Sequence, residues 1–231
     1  MPAGAGLRVF TNVKRPDRAL VERFRGIPTS NINDMMNRLY NTNGSIHPMN
    51  KVPMLGTAIT VKAPIGDNMF FHRALDIAQP GDVIVVDGGG CCDRALAGEI
   101  MMTYAAKRGL AGIVVDGALR DAEGLKNCPM PIYCKAITPQ GPYKHGPGEI
   151  NVPVCCGGVA VLPGDIVVGD EDGIVFIRPE DAPFIIEKAE KKFATEEKKL
   201  EGYRTVGIDE DKHRPNYEKQ LAEAGAIVID E

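Results

Sequence analysis

Three charged residues stand out by type and spacing. Glu99 is followed, after twenty intervening residues, by the adjacent pair Arg120-Asp121. On a surface, an arginine beside an acid is commonly an ion pair that contributes little. In a cleft the same pair could hold an anion with the guanidinium and a divalent cation with the carboxylate. The surrounding pattern bears on that choice. Residues 83–86 (VIVV) form a β-branched run behind a Pro80-Gly81-Asp82 turn, which predicts a buried strand. Gly88-Gly89-Gly90 breaks the run, residues 96–108 carry a helical pattern, and Gly109 stops it. Residues 112–115 predict a second strand running into Asp116-Gly117-Ala118-Leu119-Arg120-Asp121. Strand, helix, strand is a βαβ-like unit, and ligands of such units sit in the loops at the strand ends. Both strands end in Asp-Gly, so acidic groups gather where those loops meet.

Composition narrows the function classes. With 231 residues, 44% hydrophobic and 25% charged, the chain has the material for one large domain with a sizeable core. A net charge of −4 provides no global field for nucleic acid, and the absence of tryptophan weakens a base-stacking role. No apolar run reaches bilayer length, and the first residues lack a signal-peptide core, so a cytoplasmic protein is expected. The six cysteines then read as reduced thiols. Cys91-Cys92 and Cys155-Cys156 are adjacent pairs, and Cys128 and Cys134 lack partners at zinc-site spacing, which favours small core-filling residues over metal ligands.

Elsewhere, residues 16–25 predict a short helix, and Thr29 or Ser30 reads as the N-cap of a second over 31–39. Residues 40–53 are loop-like. Residues 56–62 alternate as a strand, and 69–78 are helical after the Gly66-Asp67-Asn68 turn. Residues 131–136 predict a strand, 140–149 a glycine-rich loop, and 152–155 with 159–162 a hairpin through Gly157-Gly158. Pro163-Gly164-Asp165 and the β run behind it repeat the pattern at Pro80-Gly81-Asp82. Residues 180–200 predict a helix with one solvated charged face, and a short helix is expected near 217–224.

With these residues in view, the chain resembles the RraA-like family, and within it the 4-hydroxy-4-methyl-2-oxoglutarate/4-carboxy-4-hydroxy-2-oxoadipate aldolases. Their signature is an acid, twenty residues, then Arg-Asp. Gly66-Asp67-Asn68, the run from Gly81 to Gly90, that from Gly112 to Gly117, Asn151-Val152-Pro153-Val154, Gly157-Gly158-Val159 and Pro163-Gly164-Asp165 carry the likeness over roughly 24–202. One departure is that the first acid, usually aspartate, is here Glu99, whose carboxylate reaches one methylene further.

The resemblance implies an α/β fold, an αββα-type sandwich like the swivelling phosphohistidine domain, over 1–201, with 202–231 as a helical extension. It implies a homotrimer or homohexamer with clefts between subunits, and class II pyruvate-aldolase chemistry. In that chemistry cleavage of a 4-hydroxy-2-oxo acid forms an enolate, whose charge a cation and a guanidinium stabilise. Asp121 would bind Mg²⁺ or Mn²⁺, and Arg120 the pyruvyl oxygens. Gly98 and the backbone N–H groups of Glu99, Ile100, Met101 and Met102 would anchor the carboxylate. Glu99 would hold water or move protons, Asn68 would touch substrate, and Glu196 or Glu197 would reach a neighbouring subunit's site. A solvated charge run explains that last pair equally well. Arg94, Lys144 and His145 are the cations available for a second carboxylate.

Three rivals remain. An RraA-type regulator binding the endoribonuclease RNase E shares the scaffold but tends to lose the acid after arginine, which this chain keeps as Asp121. A nucleotide or S-adenosylmethionine enzyme is disfavoured because Asp93 stands where the dinucleotide fingerprint wants Gly or Ala. Schiff-base chemistry has Lys62, Lys107, Lys126 and Lys135 available, none in a motif that lowers a pKa. Oxaloacetate decarboxylation, which also makes pyruvate enolate, is expected of the same site.

Overall fold

The β-branched runs become strands, and four of them form a parallel core. In the computed structural model, which describes residues 4–205, 217–227 and 229, the order is α1 (Arg18–Glu22), α2 (Thr29–Met35), β1 (His47–Pro48), β2 (Met54–Lys62), α3 (Met69–Ile77), β3 (Asp82–Asp87), α4 (Glu99–Lys107), β4 (Gly112–Leu119), α5 (Ala122–Lys126), β5 (Ile132–Ile137), β6 (Glu149–Ile150), β7 (Val154–Cys156), β8 (Val159–Val161), β9 (Ile166–Asp170), β10 (Gly173–Ile177), α6 (Ala182–Thr205) and α7 (Tyr217–Glu223). One mixed sheet runs β1-β5-β4-β3-β2-β9-β10, with β6 also paired to β2. Neighbours among β2, β3, β4 and β5 are parallel, while β9, β10 and β1 join antiparallel.

Coverage on both faces explains why the central strands are continuously apolar rather than alternating. On one face Ile84, Val86, Ile113 and Val115 pack with Phe71, Leu75, Met102 and Ala105 from α3 and α4. On the other, Val83, Val85 and Val114 meet the β7–β8 hairpin through Val154, Cys156 and Val161. A third cluster joins α1 and α2 to β9, β10 and the first turns of α6. The fold is mixed α/β, as expected. Cys128, Cys134 and Cys156 are buried core fillers, whereas Cys92 and Cys155 are exposed; all six are free thiols.

Several boundaries differ from the sequence reading, each for a tertiary reason. Thr29 is helical and buried, and Pro28 is the N-cap of α2. The Thr29 N–H and hydroxyl both donate to the Asp170 carboxylate, at 2.8 and 2.7 Å. Helix α4 begins at Glu99, not at Leu96, because residues 95–97 lie along β4: Leu96 N–H donates to Ala118 O at 2.9 Å and Arg120 N–H to Ala97 O at 3.0 Å. Strand β4 runs through Asp116-Gly117 to Leu119 instead of ending there.

The repeated Pro-Gly-Asp signal corresponds to two matching turns. Gly81 and Gly164 have φ of +90° and +93°, which glycine alone adopts cheaply. Each following aspartate accepts the N–H three residues back, Gln79 to Asp82 at 2.7 Å and Leu162 to Asp165 at 2.8 Å. Each is also clamped by an arginine. Arg15 grips Asp82 with two bonds of 2.8 and 2.7 Å, and Arg178 pairs with Asp165.

Asp67 ties the loop after β5 to the start of α3. Its carboxylate accepts N–H groups from Met69 (2.9 Å), His145 (2.6 Å) and Gly146 (3.0 Å). Burial pushes this carboxyl up, but the N–H bonds of His145, Met69 and Gly146 outweigh it, so its pKa lies below the ordinary value.

Two compact units are resolved, Met1–Glu190 and Lys191–Glu231. Within the second, Lys192 and Glu196 pair at 2.6 Å one helical turn apart, and α7 forms near the predicted 217–224. Residues 206–216, 228, 230 and 231 of the expected extension lie outside the described residues.

Asp82 is 1% exposed, so removing its arginine leaves a buried charge held only by backbone. Arg15→Ala should cost about 3 kcal/mol in chemical denaturation, against a near-neutral Arg25→Ala on the exposed Glu22 pair. Because the folded pKa of Asp67 is depressed, its stabilisation is present above the unfolded carboxylate value and lost as pH falls through the folded one. Melting curves between about pH 3 and pH 7 should therefore show a shallower acid loss for Asp67→Asn than for the wild type.

Candidate active site

Where β4 ends, the chain makes a turn that propensity disfavours. Asp121 has φ +64° and ψ +51°, the left-handed region that non-glycine residues seldom occupy. Such strain persists where surrounding bonds over-determine it, and it clusters at functional sites. The determining bond is visible: Asp121 Oδ2 accepts the Glu99 N–H at 3.0 Å. The carboxylate of one element thus sits on the first free N–H of another, where the helix dipole also favours negative charge. Arg120 Nε lies 3.7 Å from the same oxygen, and both side chains are 43% exposed.

Gly98 makes this approach possible. A Cβ there would stand 2.9 Å from Arg120 Cγ and closer still to Asp121 Oδ2, so any side chain displaces the pair. The result is a cleft of about 130 Å³ lined by Asn68, His72, Gly98, Ile100, Met101, Arg120, Asp121, Pro142 and Lys144, among others.

Asn68, 2% exposed, donates from Nδ2 to Leu96 O at 2.7 Å, while its Oδ1 is buried without a partner among the described residues. His72, one turn along α3, has its pKa lowered, first by burial and then by Lys144, against a smaller opposing effect of Asp76. Its imidazole is therefore neutral near pH 7. Among the cleft-lining side chains the cations are Arg120 and Lys144.

Of the expected anchor donors, Glu99 N–H is taken by Asp121 and Met102 N–H by Gly98 O at 3.2 Å. Those of Ile100 and Met101 remain, as first-turn groups without intrahelical acceptors. The Glu99 side chain lies over Gly124, just outside the cleft-lining set. Arg94 and His145 brace the loop. Arg94 stacks 4.2 Å over the Tyr143 ring and donates to Gly141 O at 2.6 Å, and the His145 backbone is held by Asp67. Glu196 and Glu197 belong to the second unit, where Glu196 pairs with Lys192.

The acids of the two Asp-Gly strand ends do not enter the cleft. Asp87 and Asp116 lie side by side in register, paired with Lys62 at 3.4 Å and Lys135 at 2.7 Å. Bonding to Asp116 raises the Lys135 pKa, against burial, which is opposite to what an amine nucleophile needs. None of Lys62, Lys107, Lys126 or Lys135 lines the cleft.

The fit to a divalent cation follows from the donors present. Among the described residues no three His, Cys, Asp or Glu side chains converge. Asp121 Oδ1 has no protein hydrogen-bond partner among them, so one carboxylate oxygen is available. A cation held by a single carboxylate takes its other ligands from water and a chelating substrate, an arrangement that suits Mg²⁺.

Sequence reasoning missed His72 and Pro142. His72 follows Asn68 at i+4, one helical turn along the same face. Pro142 precedes Lys144 in the loop that Asp67 holds.

Comparison with known proteins gives concordant results. The RraA-like family profile, described as Aldolase/RraA, matches residues 29–176. A protein of Halalkalibacterium halodurans, provisionally named a 4-hydroxy-4-methyl-2-oxoglutarate aldolase, is 43% identical over 178 residues, covering 77% of this chain and 85% of the relative. The Thermus thermophilus protein named 4-hydroxy-4-methyl-2-oxoglutarate aldolase is 40% identical over 111 residues, 48% of this chain and 68% of its own. Among solved structures, Streptomyces coelicolor RraAS2, titled an unusual member of the RNase ES inhibitor RraA protein family, superposes with a TM-score of 0.74 at 30% identity, covering 82% of this chain and 99% of that one. On the matched profile and these identities, the chain belongs to the RraA-like family.

Proposed function

We propose that the protein is a divalent-metal-dependent aldolase that cleaves a 4-hydroxy-2-oxo acid, 4-hydroxy-4-methyl-2-oxoglutarate or 4-carboxy-4-hydroxy-2-oxoadipate, to pyruvate and a second oxo acid. The observation that carries this reading is the Arg120-Asp121 pair facing a cleft, with Asp121 fastened to the start of α4 by the Glu99 N–H. The names of the two aldolase relatives support it.

In this reading the free N–H groups of Ile100 and Met101 receive the pyruvyl carboxylate. Arg120 donates to the 2-oxo oxygen and is worth most as that oxygen gains enolate charge when the carbon–carbon bond breaks. Its planar fork suits two oxygens better than an ammonium does. Asp121 would hold Mg²⁺ or Mn²⁺, which supplies Lewis-acid charge beside the same oxygens. Asn68, in the cleft wall, would touch substrate, and Glu99, exposed at the helix start, exchanges protons through water. Lys144 meets the distal carboxylate. The exposed Ile100 and Met69 beside the cleft support a homo-oligomer, trimer or hexamer, in which Glu196 or Glu197 of a neighbouring copy completes the outer rim. Oxaloacetate decarboxylation is the expected side activity.

The solved relative titled an unusual member of the RNase ES inhibitor RraA protein family favours a second reading, a regulator binding an RNase E-type endoribonuclease. Pyruvate release from 4-hydroxy-4-methyl-2-oxoglutarate, assayed with and without Mg²⁺, separates the two. Metal-stimulated turnover is expected, and its absence on any 2-oxo acid favours the regulator. Asp121→Ala should abolish aldol cleavage and oxaloacetate decarboxylation together, and Arg120→Lys should lower kcat by about 10²-fold in both. Gly98→Ala should match the loss in Asp121→Ala with little change in Tm. Lys144→Ala should raise KM for the dicarboxylate substrate while leaving KM for pyruvyl groups without a distal carboxylate near the wild-type value.

A further inference from the structure

The central strand β4 carries an irregularity directly before the site. Opposite β5, Val115 pairs with Cys134, but Ala118 pairs with Ala136 and Leu119 with Ile137. Two residues, Asp116 and Gly117, therefore stand against the single Lys135, which is a β-bulge. From there on, every residue of β4 is displaced by one position against its neighbour. Arg120 and Asp121 follow directly on the displaced Leu119, the last residue of β4.

The bulge is held from several sides. Lys135 Nζ lies 2.7 Å from Asp116 Oδ1, with the two side chains 19% and 8% exposed. Asp116 Oδ2 accepts the Gly157 N–H of the β7–β8 hairpin at 2.8 Å, and Asp116 O accepts the N–H groups of Gly88 and Gly90, each at 3.1 Å. A buried ion pair contributes little net stability, and its best-attested use is to select one register over its competitors. Here the register has a definite consequence. After the bulge, β4 aligns with residues 95–97 through Leu96 N–H to Ala118 O and Arg120 N–H to Ala97 O, at 2.9 and 3.0 Å. That alignment brings Gly98 and the Glu99 N–H against Asp121.

We infer that Asp116 and Lys135 are positioning residues. Their pair pins the bulge in β4, and the bulge sets the register in which Arg120 and Asp121 meet the start of α4. Neither side chain lines the cleft, and the pair acts only through the backbone it fixes. The catalytic consequence rests on the aldolase reading; the structural one does not.

The test combines hydrogen exchange by mass spectrometry on the full chain with the Mg²⁺-dependent pyruvate assay, for wild type, Lys135→Met, Asp116→Asn and the charge-keeping Lys135→Arg. Lys135→Met and Asp116→Asn should each speed exchange about tenfold in residues 95–101 and 118–121, leaving residues 166–177 at the far side of the sheet unchanged. Lys135→Arg should restore protection in those segments and recover kcat from the loss seen in Lys135→Met. Wild-type protection of 95–101 in Lys135→Met overturns the inference. So does equal loss of protection in 166–177, which marks general destabilisation. If the wild type shows no metal-stimulated turnover, the aldolase reading fails while the exchange pattern still decides the positioning role.

Discussion

The hydrogen bond from the Glu99 N–H to the Asp121 carboxylate joins the end of a strand to the start of a helix, and the candidate site exists only where those two meet. It satisfies one of the first-turn donors that every helix leaves over. It also holds Asp121 in a left-handed conformation that the local sequence disfavours, and it orients one carboxylate oxygen while leaving the other available. The absence of a Cβ at Gly98 is the steric condition for the bond. Mixed-sheet topology, two-sided burial of β3 and β4, and the loop held by Asp67 can all be read as what brings these few atoms within reach.

Charge is distributed to match. Most acids near the strand ends are absorbed in pairs, Asp87 with Lys62, Asp116 with Lys135, Asp82 with Arg15 and Asp165 with Arg178. Asp121 is different because its nearest cation, Arg120, stands 3.7 Å away and shares its exposure to the cleft. A carboxylate and a guanidinium left only loosely paired, beside free helix N–H groups, can take a ligand that carries both an anion and a chelated cation. The buried, closely paired Asp82, Asp116 and Asp165 cannot.

Much of this was legible in the sequence, and the parts that were not share a cause. The strands at 83–86 and 112–115 and the separation of Glu99 from Arg120-Asp121 follow from local pattern. The true start of α4 does not, since Leu96-Ala97 fits a helical period and only backbone pairing with β4 holds it extended. Asp116-Gly117 has the composition of a turn, yet it is a bulge inside a strand, with Lys135 across from it on β5. Thr29 resembles a cap, yet Asp170, distant in sequence, claims both its N–H and its hydroxyl. His72 and Lys144 reach the cleft from a helix and a loop that meet only in the fold. In each case a long-range partner overrode a sound local preference.

In the proposed chemistry Asp121 is the protein's ligand to a divalent cation. Electron paramagnetic resonance of Mn²⁺ titrated into the protein with oxalate, a stable stand-in for pyruvate enolate, tests this most directly. Saturable Mn²⁺ binding that oxalate tightens and that Asp121→Asn removes is the expected result. Undiminished binding in Asp121→Asn would contradict it.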